Sequence, residues 1–134
     1  GPRPINAMTT ESRFRTLEIV FLVAIGGFAG ANLRYVFSLA IPGLGGTFAA
    51  NVLGCLALGF LVYEAELVGL LAEETGFVAA TGFLSSFTTY STFALEAVQS
   101  PTPTGVGYVV ATYLCGFVAV LVGRRLARAL EGAV

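Results

Sequence analysis

The sequence predicts an all-α membrane protein that crosses the bilayer four times. Three observations carry that expectation. Apolar residues make up 56% of the chain and charged ones only 11%, whereas a soluble domain is about one-quarter charged. Four long stretches carry almost no charge, each near the roughly 20 residues that a helix needs to cross a hydrocarbon core about 30 Å thick. Short runs of turn-forming residues separate them. Lipid offers no water to unpaired backbone groups, so each stretch must bond internally as a helix. At 134 residues the chain is one domain by length.

The elements follow in order. Residues 1–7 read Gly-Pro-Arg-Pro-Ile-Asn-Ala ahead of Met8, the expected native start. The leading Gly-Pro resembles a protease-cleavage scar and is set aside from fold reasoning. Residues 8–134 form a single four-helix transmembrane domain. The first span, about 17–41, carries Glu18 and Arg34 as its only charges and is too long for a signal peptide. A Pro42-Gly43 turn leads to the second span, about 46–65, uncharged from Gly46 to Tyr63. An acidic loop with Glu64, Glu66, Glu73 and Glu74 precedes the third span, about 77–98. Ser100-Pro101-Thr102-Pro103 turns the chain into the fourth, about 105–128. Gly26 with Gly30, and Ala50 with Gly54, recur at four-residue spacing and mark faces where helix backbones approach closely. Tyr63 and Tyr108 stand near span ends as interface anchors.

With four crossings both termini share a side with the acidic loop. That side holds Arg13, Arg15, Arg124, Arg125 and Arg128, while the two opposite turns hold no Lys or Arg. The positive-inside bias puts the termini in the cytoplasm of a multi-pass protein in the cell membrane. Absence of His and Asp removes most side-chain metal sites and catalytic triads, and no nucleophile–base pair marks an enzyme. Seven Arg without Lys form no basic patch for nucleic acid. Cys55 and Cys115 lie inside apolar stretches and read as small hydrophobes.

Function in such a chain is sought where polarity is costly. Arg34, two-thirds along the first span, either snorkels to an interface or draws anions into a vestibule. Glu96 closes the third span and reaches the interface or serves the site; Glu18 is interfacial. Asn51 lies in an uncharged span, where an unsatisfied amide would cost a few kcal/mol. It bonds a neighbouring helix or faces a polar path. In the third span Ser85, Ser86, Thr88, Thr89, Ser91 and Thr92 crowd into eight positions. One or two such residues can bond back to helix carbonyls; six point to a helix interrupted at the midplane, with freed carbonyls. Phe83, Phe87, Tyr90 and Phe93 are interleaved at helical spacing, and their ring edges are partly positive. Tyr108 and Thr112 share one face of the fourth span.

At these residues the chain resembles the Fluc (CrcB-type) fluoride channels. Gly26-Gly27-Phe28-Ala29-Gly30-Ala31-Asn32-Leu33-Arg34-Tyr35 is similar to the family's GGxxGAxxRY. Gly46-Thr47-Phe48-Ala49-Ala50-Asn51-Val52-Leu53-Gly54 is similar to GTxxxNxxG, and Thr88-Thr89-Tyr90-Ser91-Thr92-Phe93 to TTFSTF. The resemblance covers about residues 17–124. It implies an antiparallel dimer with two fluoride pores and a structural sodium ion held by the backbone carbonyls of Ser85 and Thr88. Ser85 stands where the family usually has Gly, and Ser tolerates fewer backbone conformations. The resemblance further implies Tyr90 and Phe93 as pore aromatics, with Tyr in place of the usual Phe. Asn51 becomes the pore amide, and Ser91, Thr92, Tyr108 and Thr112 the polar track, with Gly116 where some members continue it. Arg34 biases the mouth towards anions.

The implied activity is passive fluoride export that limits toxicity, in a narrow path that replaces the ion's water and excludes larger chloride by width. The implied partners are fluoride, the lipid bilayer and a second subunit. Five Arg on one side and none on the other sit poorly with a chain that inserts both ways, so the second subunit is either a copy with dual topology or an oppositely oriented paralogue. A small multidrug transporter is the rival reading, but it needs a midspan carboxylate in the first helix, and Glu18 is too near its end. A non-transporting scaffold leaves the third-span hydroxyls unexplained.

Overall fold

A computed structural model describes residues 10–63 and 74–133. The expected remnant at 1–7, the start at Met8 and the loop residues Glu64, Glu66 and Glu73 lie outside the described residues. The secondary structure among the described residues is all helical: α1 (Thr10–Ala40), α2 (Leu44–Tyr63), α3 (Glu74–Phe87), α4 (Ser91–Gln99) and α5 (Thr102–Ala133). α1, α2 and α5 are each long and apolar enough to cross a membrane. α3 and α4 are too short to do so singly, since a helix rises about 1.5 Å per residue. α1 begins at Thr10, well before the apolar stretch that opens at Leu17, because its polar first turns continue the same helix.

The turns explain themselves locally. Pro42 disfavours helical backbone in the residue before it, and Ile41 N–H closes α1 on the Phe37 carbonyl at 2.8 Å. Gly43 then takes a positive φ of 82°, which only glycine adopts without strain. At the start of α5, Pro103 occupies the first turn, where a missing N–H leaves no helical bond unmade.

Two close helix pairs form the frame: α1 lies along α3, and α2 along α5. Glycine sets the spacing in both. A Cβ on Gly26 would collide with the Ala79 carbonyl, and one on Gly30 with that of Phe83. In the second pair the arrangement is reciprocal, with Gly59 against the Val120 carbonyl and Gly123 against that of Leu56. Small residues therefore occupy much of the interior, as Ala50, Ala119 and Ala127 do beside the buried rings of Phe87, Phe93 and Tyr108, while many large apolar ones such as Phe28 and Val98 face outward. That is the reverse of a soluble core and the arrangement of helices packed in lipid, where apolar surface needs no hiding and close backbone contact supplies the attraction.

Candidate functional site

The site begins where α3 gives way to α4. Thr88 still donates its N–H to the Leu84 carbonyl at 3.0 Å, and its hydroxyl donates to the same oxygen at 2.9 Å. At Thr89 the chain leaves the helical ladder. Its N–H donates to Asn51 Oδ1 at 2.8 Å, and its carbonyl accepts from Asn51 Nδ2 at 2.9 Å. One side chain on α2 thus satisfies both backbone groups of a residue that neither helix pairs. Thr89 Oγ1 then accepts the Thr92 N–H at 3.2 Å, capping the first turn of α4. Of the two sequence alternatives for Asn51, the bond to a neighbouring segment is made; one amide N–H remains.

This arrangement frees carbonyls. Among the described residues no backbone amide donates to the oxygens of Ser85, Ser86, Phe87 or Thr88. Ser85 sits in regular helix, its hydroxyl bonded back to the Thr81 carbonyl at 2.7 Å. No non-glycine residue among those described has a positive φ, so Ser in place of Gly strains nothing there. No three His, Cys, Asp or Glu side chains gather among the described residues. The unpaired oxygens at this junction are those of the backbone.

Two openings meet at Thr89. A groove of about 530 Å³ takes in Asn51, Ser85, Thr88, Tyr90, Phe93 and Thr112. A second cavity of about 220 Å³ is lined by Arg34 and Thr92, with Tyr35, Ser38 and Thr47. Thr89 lines both. Arg34 is half-buried and has no carboxylate partner among the described residues. Ser91 and Tyr108 line neither opening; Ser91 is exposed and Tyr108 buried.

The aromatics are not equivalent. Phe93 is buried, with ring centroids 6.0 Å from Tyr90, 5.1 Å from Tyr108 and 6.2 Å from Tyr113. Tyr90 is 73% exposed on the open side of the groove. Behind Phe93, the Tyr108 hydroxyl is buried beside Thr47 and the Glu96 carboxylate, and Thr112 Oγ1 is buried without a hydrogen-bond partner among the described residues. A helical Thr ordinarily bonds back to its own helix, and a buried hydroxyl left unpaired costs about 1–3 kcal/mol. Thr112 is then a donor without an acceptor, one turn from Tyr108.

Sequence reasoning missed the role of Thr47. Its hydroxyl donates to Glu96 Oε1 at 2.5 Å, tying the start of α2 to the end of α4, with Tyr108 beside both. The signal was the costly carboxylate at a span end; nothing in the sequence named its donor 49 positions away.

Comparison with known proteins places the sequence in a family. Residues 21–124 match the family described as CrcB-like protein, Camphor Resistance (CrcB). The chain is 56% identical over 117 residues to fluoride-specific ion channel FluC 1 of Haloarcula marismortui, covering 87% of this chain and 91% of that protein. It is 49% identical over 111 residues to FluC 1 of Natronomonas pharaonis, covering 81% and 93%. A more distant relative, FluC 2 of Methanosarcina barkeri, is 32% identical over 122 residues, covering 91% and 97%. Matched over most of its length by both measures, the chain belongs to the CrcB family.

Proposed function

We propose that this chain is a fluoride-selective channel, not an enzyme, that lets fluoride leave the cytoplasm by passive electrodiffusion and so lowers its toxicity. The observation that carries the reading is the buried, unpartnered hydroxyl of Thr112 on the groove that holds Asn51, one turn from the Tyr108 hydroxyl. Fluoride is small and strongly hydrated, and a pore must replace its water with donors that do not hold it too tightly for release. Those hydroxyls, the remaining Asn51 N–H, Ser91, Thr92 and the ring edges of Tyr90 and Phe93 are such donors. Arg34 biases the mouth towards anions through the cavity it shares with Thr92. The names of the relatives support the choice of ion.

In this reading α3 and α4 make the third of four crossings, and their junction lies at the membrane midplane. The groove is open in one subunit, and a second subunit packed antiparallel closes it. The unpaired carbonyls of Ser85 and Thr88 fit a structural sodium ion, whose fixed positive charge ties two copies together where both helices are interrupted. The one-sided arginines favour cytoplasmic termini in the cell membrane, with an oppositely oriented paralogue as the native partner and the homodimer as the alternative. Purified protein in liposomes tests the activity: fluoride efflux that chloride does not match, and that needs no proton gradient, is expected. Equal chloride flux, or efflux only with a proton gradient, overturns the reading.

A further inference from the structure

A cavity of about 400 Å³ on the outer side of α5 belongs to none of the machinery above. It is lined by Val118, Leu121 and Val122 below and by Arg124, Arg125 and Arg128 above. At about 100° per residue, Val118, Leu121, Val122, Arg125 and Arg128 fall on one stripe. The residues that α5 buries, among them Gly116, Ala119, Gly123 and Ala127, lie roughly opposite that stripe. The groove residues Tyr113, Phe117 and Val120 lie about a quarter-turn or more from its centre. All six lining residues are exposed. The stripe therefore faces away from α2, and its Arg128 edge borders the groove at Phe117.

Height is fixed by length. The uncharged run from Gly105 to Gly123 spans about 28 Å as a helix, close to the hydrocarbon thickness. The three guanidinium groups then stand at the phosphate layer, above an apolar strip that faces the acyl chains. None of the three has a carboxylate partner among the described residues. The Arg124 guanidinium lies over the Tyr63 ring, 5.8 Å from its centre. Guanidinium forks match phosphate oxygens in pairs, and basic clusters beside a spanning helix attract anionic headgroups.

We infer that this face of α5 is a binding site for an anionic phospholipid, whose phosphate lies on Arg125 and Arg128 beside Arg124 and whose chain runs down Leu121, Val122 and Val118. The site is independent of which ion crosses the protein. The committed occupant follows from charge complementarity above and apolar complementarity below; a soluble phosphate compound satisfies only the first.

The test is native mass spectrometry of the purified full chain in detergent with equal amounts of phosphatidylglycerol and phosphatidylcholine of the same acyl length. Retention of phosphatidylglycerol over phosphatidylcholine by about tenfold is expected for the unaltered protein. Arg125→Gln with Arg128→Gln should bring the ratio close to one. Arg13→Gln with Arg15→Gln removes the same charge from the first turns of α1 and should leave the ratio unchanged. Arg125→Lys with Arg128→Lys, which keeps charge and assembly while losing the fork, should give an intermediate ratio. Absence of headgroup preference in the unaltered protein overturns the inference without any variant. Equal loss in the two Gln pairs also overturns it, since diffuse attraction then suffices, as does displacement of the lipid by soluble glycerol phosphate at equal concentration.

Discussion

The α2–α5 contact and the α3–α4 junction solve the problem of a dry environment in opposite ways. Along α2 and α5 the backbone bonds within each helix, and glycine lets the two helices touch carbonyl to Cα. At the junction the ladder stops, and Asn51 and the hydroxyls of Thr88 and Thr89 take over part of its bonding. The first region tolerates no added atom. The second tolerates no lost polar group, yet leaves several carbonyls open. Rigidity is concentrated in one place and unspent polarity in the other.

The largest effect is expected where that separation is attacked directly. Gly123→Leu forces a side chain into the Leu56 carbonyl and should cost about 3 kcal/mol or more, read as loss of folded protein in denaturant titration or on a sizing column. Asn51→Ala should come next. It strips both bonds from the Thr89 backbone, for a loss of about 2 kcal/mol and a fall in fluoride efflux of tenfold or more. Normal efflux from well-folded Asn51→Ala protein would remove Asn51 from the pathway.

Thr112→Val sharpens the contrast, because stability and activity should part company. Deleting an unpaired buried hydroxyl while keeping its shape should leave stability equal or higher by about 1 kcal/mol, whereas efflux should fall severalfold. If both rise or both fall, the hydroxyl is packing and not path. Gly107→Ala should do least. Nothing lies within 4 Å of the added carbon, so a small gain in thermal stability from helix propensity, about 0.5–1 kcal/mol, is expected.

Much of this architecture was legible before any coordinates, for a plain reason. Membrane spans advertise themselves in hydropathy over some 20 residues, and the Gly26–Gly30 face is a local pattern. The hydroxyl run from Ser85 to Thr92 likewise marked the stretch where α3 hands over to α4. What stayed hidden was pairwise and distant: Asn51 with Thr89, 38 positions apart, and Thr47 with Glu96. The Gly59–Gly123 contact was equally silent, because each glycine matters only through the carbonyl of the other helix. The unequal exposure of Tyr90 and Phe93 was not readable either, since helical spacing gives the angle between two rings and not which neighbour covers them.

The pairing of α1 with α3 and of α2 with α5 has a consequence for biogenesis. Neither of the first two helices has its main partner as its next neighbour in the chain. As the protein emerges from the ribosome, α1 must wait for α3, and α2 for α5. The first hairpin therefore enters the bilayer with its glycine faces uncovered, held by hydropathy alone. The contacts of α2 form only when α5 arrives. Such a translation order leaves the close backbone contacts of the first two helices to segments synthesised later.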